Sequence, residues 1–357
     1  MREEWMTTVL RETDWDGITS RLRRTDMALL LTESDVKGLL TMPAAIAAVE
    51  ESFRRLATGN AIVHSRQRLH IPGKSYLHYM AAADGTGGYM GLKIYSSAKE
   101  GLRFLVPLFN VTTGDLAAVI EADFLGQVRT GAASGVATRW MSREDSRVVG
   151  MIGTGLQART QLEAVSLVRK LGEVRVCGRD ADRRERFVAE MSARLKVPVR
   201  SAANAEEAVR EADIVITSTT STNPVVEGRW LKKGTHINAI GANFPQKREL
   251  DTEAVGRCDV IAVDSREQSK MEAGDLIHAF GQDAARWNAV AELADIVAGK
   301  TPGRTNPEQI TLFKSNGIAI EDIVVAGQIY ELARERKIGR EIPMWEKEAR
   351  FGEARGV

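Results

Sequence analysis

The stretch Val148-Val149-Gly150-Met151-Ile152-Gly153-Thr154-Gly155-Leu156-Gln157-Ala158 decides the fold. Its apolar opening predicts a buried strand over 148–152 that runs into a Gly-x-Gly-x-x-Ala turn. Gly153 permits the tight turn, Gly155 lets the backbone approach a phosphate, and Ala158 allows close helix–strand packing. The helix that follows, 156–170, offers free N–H groups and the positive end of its dipole, which favour an anion. A glycine turn alone is common. Here a second β-run, Val174–Cys177, follows one helix later, which supplies the βαβ context of a dinucleotide-binding turn. Gly153, Thr154, Gly155, Gln157 and Ala158 are therefore expected around a dinucleotide pyrophosphate.

The residues after the second strand bear on which dinucleotide binds. NAD-preferring domains usually carry Asp or Glu there, about 20 residues beyond the turn, to hold the ribose 2′-OH. This chain has Gly178 followed by Arg179. Without the carboxylate a 2′-phosphate meets no repulsion, and the Arg179 guanidinium can grip it. NADP(H) is favoured, with NAD(H) as the alternative. Arg183 and Arg184 are further candidate cations. The competing reading makes these arginines the solvated start of a helix, with Asp180 holding the ribose.

Around this centre the chain is that of a water-soluble protein. Its 49 Lys and Arg nearly balance 48 Asp and Glu, so no field for nucleic acid or a membrane surface is implied. The only two cysteines, Cys177 and Cys258, are expected in core strands, which fits a reducing compartment and neither a disulfide framework nor a zinc site. His78, His236 and His278 lack metal-ligand spacing, and no metal is expected. There is no long apolar span and no signal-peptide core, so a cytoplasmic location is expected.

Two domains are the natural expectation for 357 residues. Residues 1–26 read as a polar N-terminal extension. A strand at Leu29–Leu31, an N-cap at Ser34 or Asp35, and an amphipathic helix from Pro43 to Leu56 follow. From Ile62 to Glu121 the pattern is strand-like, as in Tyr89–Tyr95, Leu105–Val111 and Leu116–Ile120, with a hairpin turn at Thr113-Gly114-Asp115. Consecutive strands without helices predict an antiparallel sheet. From about 146 to 315, strands at 148–152, 174–178, 214–217, 237–240 and 259–263 alternate with helices such as 182–195 and 205–212. The fold class is α/β: a Rossmann-type doubly wound nucleotide domain inserted into an α+β domain that a helix, Ile318–Arg336, closes.

The charged residues of the antiparallel part point to an anionic substrate. In His64-Ser-Arg66-Gln-Arg68-Leu-His70, alternate side chains are expected on one strand face. Four basic groups in a row make a poor core and a good anion site. They also suggest a substrate with a second acidic group, unless Arg66 or His70 pairs with an acid across a subunit interface. Lys93 lies in an apolar run where a lone ammonium is costly. Arg129 is expected to open a small-residue helix just before the nucleotide domain.

Taken together, Gly-Leu-Lys93, Arg129-Thr-Gly-Ala-Ala, the glycine turn and Gly234-Thr-His-Ile-Asn-Ala-Ile-Gly-Ala-Asn243-Phe-Pro-Gln-Lys247-Arg-Glu-Leu-Asp251 resemble the ornithine cyclodeaminase/μ-crystallin family. Glu272-Ala-Gly-Asp275 and Ile310-Thr-Leu-Phe-Lys-Ser315-Asn316-Gly317 extend the likeness over roughly Ala28 to Arg336. The resemblance implies a homodimer. In it, 27–128 and 318–357 form the substrate-binding and dimerisation domain, and 129–317 the NAD(P)-binding domain. It implies a small imino or amino acid as substrate. Arg66 or Arg68, Lys93 and Arg129 would hold the substrate carboxylate, and Asn316 would face the substrate. Arg129, Thr130, the glycine turn, Thr217, Ser218, Asn243, Lys247 and Ser315 would line the cofactor.

One departure separates the activities of that family. Asn243 stands where cyclodeaminases and the related alanine dehydrogenases carry aspartate. A carboxylate there can take protons, whereas an amide only orients through hydrogen bonds. Cyclodeamination needs that base for amine deprotonation and ammonia loss. Imine reduction mainly needs position and electrostatic setting. The expected activity is NAD(P)H-dependent reduction of an imine to an L-amino acid, or the reverse, with Lys93 and Asn243 at the reacting centre. The alternatives are an ammonia-eliminating ornithine cyclisation and a non-catalytic, crystallin-like NADPH-binding protein.

Overall fold

A computed structural model describes residues 27–99 and 101–344; the extension assigned to 1–26 and the tail from 345 lie outside the described residues. The first sheet contains β1 (Met27–Leu31), β2 (Ala61–Val63), β3 (Gln67–Ile71), β4 (Ser75–Asp84), β5 (Tyr89–Ala98), β6 (Gly101–Asn110), β7 (Leu116–Glu121) and β16 (Arg340–Pro343). Its order is β16-β1-β7-β6-β5-β4-β2, with β3 paired to β4. It is antiparallel except where β1 runs parallel to β7.

The second sheet is parallel throughout, in the order β10-β9-β8-β11-β12-β15-β13-β14. Its strands are β8 (Val148–Ile152), β9 (Glu173–Cys177), β10 (Val199–Ser201), β11 (Ile214–Thr217), β12 (His236–Ala239), β13 (Val260–Val263), β14 (Ala291–Glu292) and β15 (Thr311–Lys314). The winding reverses beside β8, with β9 on one side and β11 on the other. A parallel sheet opens a ligand crevice beyond the carboxyl ends of its strands at such a switch point.

Helix Asp123–Met141 joins the two halves and packs on helices Met42–Ala57 and Leu156–Val168. Its small residues are needed for that contact: a Cβ on Gly131 would lie 2.5 Å from the Thr160 carbonyl oxygen. The helix starts at Asp123, so Arg129 sits inside it and does not open it. Arg129 is thereby buried in the body of the helix and does not lie at a solvated end.

Other local expectations also change. Thr32, not Ser34 or Asp35, caps the first helix, because Thr32 and Asp35 exchange hydrogen bonds in a capping box. Helix 156–170 ends at Val168, and 205–212 ends at Val209. Cys258 lies in the loop before β13, with its thiol on the Ala254 carbonyl, and burial pushes that thiol up to about 12. Strand β15 was visible only as a motif, because four residues without alternation leave no period to read.

Candidate active site

The crevice at the switch point is continuous with a cleft of about 630 Å³ between the parallel sheet and the face of β4–β6. Its nucleotide end is built by the glycine turn. Gly153 has φ 111°, and any Cβ there would collide with the Ser218 carbonyl oxygen. Gly155 is the N-cap of helix Leu156–Val168 and supplies no side-chain cap, so the first N–H groups remain for an anion. Gln157 lines the cleft, and its Oε1 is buried without a partner. These features fit a dinucleotide pyrophosphate. Thr154 is buried behind the turn, and Ala158, fully buried, serves helix–strand packing as its size suggested.

One cofactor assignment is corrected by geometry, and a further arginine is brought to the cleft. Thr217 does not reach the cleft: it is fully buried and its hydroxyl donates to Glu249 at 2.8 Å. Ser218, Thr219 and Thr220 line the cleft in its place. Arg179 is exposed and absent from the cleft wall, whereas Arg183 lines it and donates through Nε to the Thr154 carbonyl. The reason is the helix start. Asp180 caps helix Ala181–Leu195 by accepting from the Arg183 N–H, which turns Arg183 toward the glycine turn. That bond commits one Asp180 oxygen to the cap.

At the other end, Arg66, Lys93 and Arg129 converge, each at most 6% exposed. Each already has an acidic partner. Arg66 Nη1 donates to Glu272 at 2.6 Å, and Arg68 Nη2 reaches the other Glu272 oxygen at 2.6 Å. Lys93 Nζ donates to Asp322 Oδ1 at 2.7 Å. Arg129 donates through Nη1 to Glu321 at 2.5 Å and through Nε to Asp322 Oδ1 at 3.1 Å.

Burial and the neighbouring Arg129 pull Lys93 down to about 8 despite Asp322. Burial opposes the charge of Arg129, but Asp322 and Glu321 outweigh it and raise its pKa. Burial likewise lifts Glu321 to about 8 and raises Glu272.

The expected strand face of four basic groups does not form. Regular pairing begins only at Gln67, so His64 and Arg66 precede the strand. His70 is exposed and stacks on Tyr76. Arg66 lines the cleft, while Arg68 lies over the Phe244 ring and donates to the Asn243 carbonyl. Arg66 and Arg68 share the single carboxylate of Glu272 in the same chain, so part of the positive charge expected from the sequence is offset.

Thr130, Asn243, Lys247, Ser315 and Asn316 all line the cleft. The buried Asp264 carboxylate shapes the last of these: one oxygen accepts from the Ser315 hydroxyl and from the N–H groups of Asn316 and Gly317. Asn316 donates to Ser269, and its Oδ1 is left without a partner. Opposite runs an aromatic wall that sequence reasoning missed, with His78 stacked between Tyr76 and Tyr95, and Tyr95 on Phe104. Burial, then Arg68 and Arg66, hold His78 near 4, so it is neutral. Among the described residues no cluster of His, Cys, Asp or Glu is arranged for a metal, and no helix is long and apolar enough to cross a membrane.

The acids Glu321 and Asp322 were also missed. Their signal was present: an acidic pair between Ile320 and Ile323 in an apolar helical run is as costly as Lys93 in its strand.

Comparison with known proteins agrees with this arrangement. Alanine dehydrogenase of Archaeoglobus fulgidus is 37% identical over 328 residues, covering 88% of this chain and 98% of that enzyme. The structure of Thermococcus litoralis Δ(1)-pyrroline-2-carboxylate reductase with NADH and L-proline superposes with a TM-score of 0.84 at 38% identity, covering 87% of this chain and 99% of that one. The iminosuccinate reductase of Paracoccus denitrificans with NAD+ gives a TM-score of 0.83 at 28% identity, covering 88% and 99%. The sequence profile of the ornithine cyclodeaminase/mu-crystallin family matches residues 26–337, a span that holds the glycine turn, the buried cations and nearly all of both sheets, and the chain belongs to that family.

Proposed function

We propose that this chain reduces a monocarboxylic imino acid to the corresponding L-amino acid, or runs the reverse dehydrogenation. It is an NAD(P)-dependent oxidoreductase acting on carbon–nitrogen bonds. The observation that carries the reading is the convergence of buried Lys93 and Arg129 in the same cleft as the glycine turn.

Nicotinamide, when bound, supplies or accepts the hydride. Lys93 spends one N–H on Asp322, and Arg129 spends Nε and Nη1 on the acids. The remaining N–H groups of both can hold one carboxylate by charge-assisted bonds. Asn243 orients through its amide, and Asn316 and Ser315 line the same end.

A non-acidic substrate side chain fits best. Glu272 holds both Arg66 and Arg68, and the Phe104 ring lies 5.5 Å from Lys93 on a wall that Tyr95 and neutral His78 continue. Cyclic or alkyl monocarboxylic imines are therefore expected to exceed iminosuccinate in kcat/KM by about tenfold or more, one lost charge-assisted bond being worth that much. Nicotinamide absorbance over such a panel, run beside ammonia release from ornithine, tests the reading. Ammonia release without cofactor consumption would replace it with cyclodeamination.

For the cofactor we propose a preference for NADPH. Gly178 places no carboxylate at the ribose, and Arg183 lines the cleft beside the turn. NADPH is expected to bind more tightly than NADH, and Gly178→Asp to erase the difference. A Cβ there would sit 3.0 Å from Thr154 Cγ2, so Thr154 must yield slightly. Titrations of both proteins with both nucleotides check this, and tighter NADH binding by the unmodified protein would sink it.

A homodimer in the cytoplasm completes the reading. Leu69, Leu77, Tyr79 and Leu105 form an exposed apolar strip on one face of β3–β6, suited to a second copy.

A further inference from the structure

Asp322 occupies the first turn of helix Ala319–Arg336 and is fully buried. A single oxygen, Oδ1, accepts from Lys93 Nζ at 2.7 Å and from Arg129 Nε at 3.1 Å. Its other oxygen, Oδ2, is buried without a partner, as is Oε1 of Glu321 beside it. The carboxylate is thus shared by two cations that come from different elements, β5 and helix Asp123–Met141.

The surroundings leave Lys93 little freedom. Asp322 faces it from the closing helix, Arg129 from helix Asp123–Met141, Arg66 from the segment before β3, and the Phe104 ring of β6 lies 5.5 Å away. Helix Asp123–Met141 also closes in at Gly126, where a Cβ would stand 2.8 Å from Nζ. Two cations packed together in a low-dielectric site repel strongly, and a shared counter-ion fixes their spacing. A buried ion loses heavily when its partner is removed.

We propose that Asp322 is a positioning residue for the imine reduction, bridging Lys93 and Arg129 through one oxygen so that both address a single substrate carboxylate. Asp322 touches neither substrate nor cofactor in this role; it acts through the two cations. Its negative charge also keeps Lys93 protonated against burial and the two neighbouring guanidinium groups. The proposal rests on the reductase reading above.

The test uses the full chain with Asp322→Asn and Asp322→Glu. Three quantities are measured: kcat and KM across pH, NADPH affinity by fluorescence, and acetylation of Lys93 across pH by competitive labelling and mass spectrometry. Asp322→Asn is expected to lower kcat/KM on the order of 100-fold, chiefly through KM. NADPH affinity should change less than about threefold, since Asp322 is not among the residues that line the cleft and its bonds go to Lys93 and Arg129. The alkaline limb of kcat/KM and the Lys93 labelling midpoint should both move about one pH unit toward acid. Asp322→Glu, which restores the charge, should recover part of both shifts.

A merely structural role would lower the melting temperature without moving either midpoint, and unmoved midpoints in folded Asp322→Asn overturn the proposal. If that variant does not fold, Gly126→Ala is the second probe, because its methyl drives Nζ from an intact Asp322. The labelling midpoint should shift the same way, and an unchanged midpoint again overturns the proposal. If the unmodified protein reduces no imine, the reductase reading fails. The labelling experiment needs no turnover and still decides whether Asp322 governs Lys93.

Discussion

Lys93→Met is expected to lower kcat/KM for imine reduction about a thousandfold or more, while the dissociation constant for NADPH changes less than about threefold. Two losses add. The substrate carboxylate forfeits a charge-assisted hydrogen bond worth about 1.5–3 kcal/mol. Asp322, fully buried, keeps only Arg129 to balance it, so its charge repels the incoming substrate carboxylate in a low-dielectric site. Methionine fills much of the lysine volume, so the fold should survive. Steady-state kinetics with a parallel nucleotide titration measures both halves.

The same residue sets the pH dependence. Burial and Arg129 hold Lys93 near 8, so the ammonium is intact below that pH and is lost above it. Reduction by the unmodified protein should accordingly fall as pH rises through about 8. Full activity in Lys93→Met, or an alkaline limb that stays near the ordinary lysine range, would remove Lys93 from the centre of the reaction.

The second large effect concerns Asn243. Its side chain borders the cleft, and its backbone carbonyl accepts from Arg68 at 3.2 Å, so the residue is held in place whatever its side chain. Asn243→Asp adds an anion without changing shape. Opposite charges within a few ångströms keep a carboxyl ionised, and Lys93 and Arg129 line the same cleft. The new carboxylate should compete with the substrate for these cations, raising KM and slowing reduction by roughly tenfold to a hundredfold, one or two charge-assisted bonds.

If the protein were instead a cyclodeaminase weakened by its amide, the same change would restore a base and raise ammonia release from ornithine. Measuring both activities in this one variant separates the readings. Ammonia release from ornithine by the unmodified protein at an ordinary enzymatic rate would defeat the argument from the lost carboxylate.

How far the sequence reaches can be read from these residues. Gly153, Gly155 and Ala158 announced the nucleotide turn because its geometry is local: a positive φ, a close backbone approach and a helix start all fall within a few residues. The βα alternation likewise placed the main strands of the parallel sheet within a residue or two, since strand burial shows in consecutive apolar residues. Lys93 and Arg129 stood out in the sequence, and both line the cleft, because a cation among apolar neighbours needs a reason wherever the chain goes.

What the tertiary structure alone decided was how those charges are balanced and which way side chains turn. Glu272 meets Arg66 across 206 positions of sequence, and Asp322 meets Lys93 across 229. No local pattern encodes such a pairing, yet it offsets part of an apparent excess of positive charge. The orientations of Thr217 and Arg183 have a related cause. Hydrogen bonds to Glu249 and the Asp180 cap, set by packing of whole elements, rotate Thr217 inward and bring Arg183 to the cleft. Backbone conformation and burial period are short-range properties that sequence carries directly, whereas the pairing of buried charges is long-range and exists only once the sheets have been brought together.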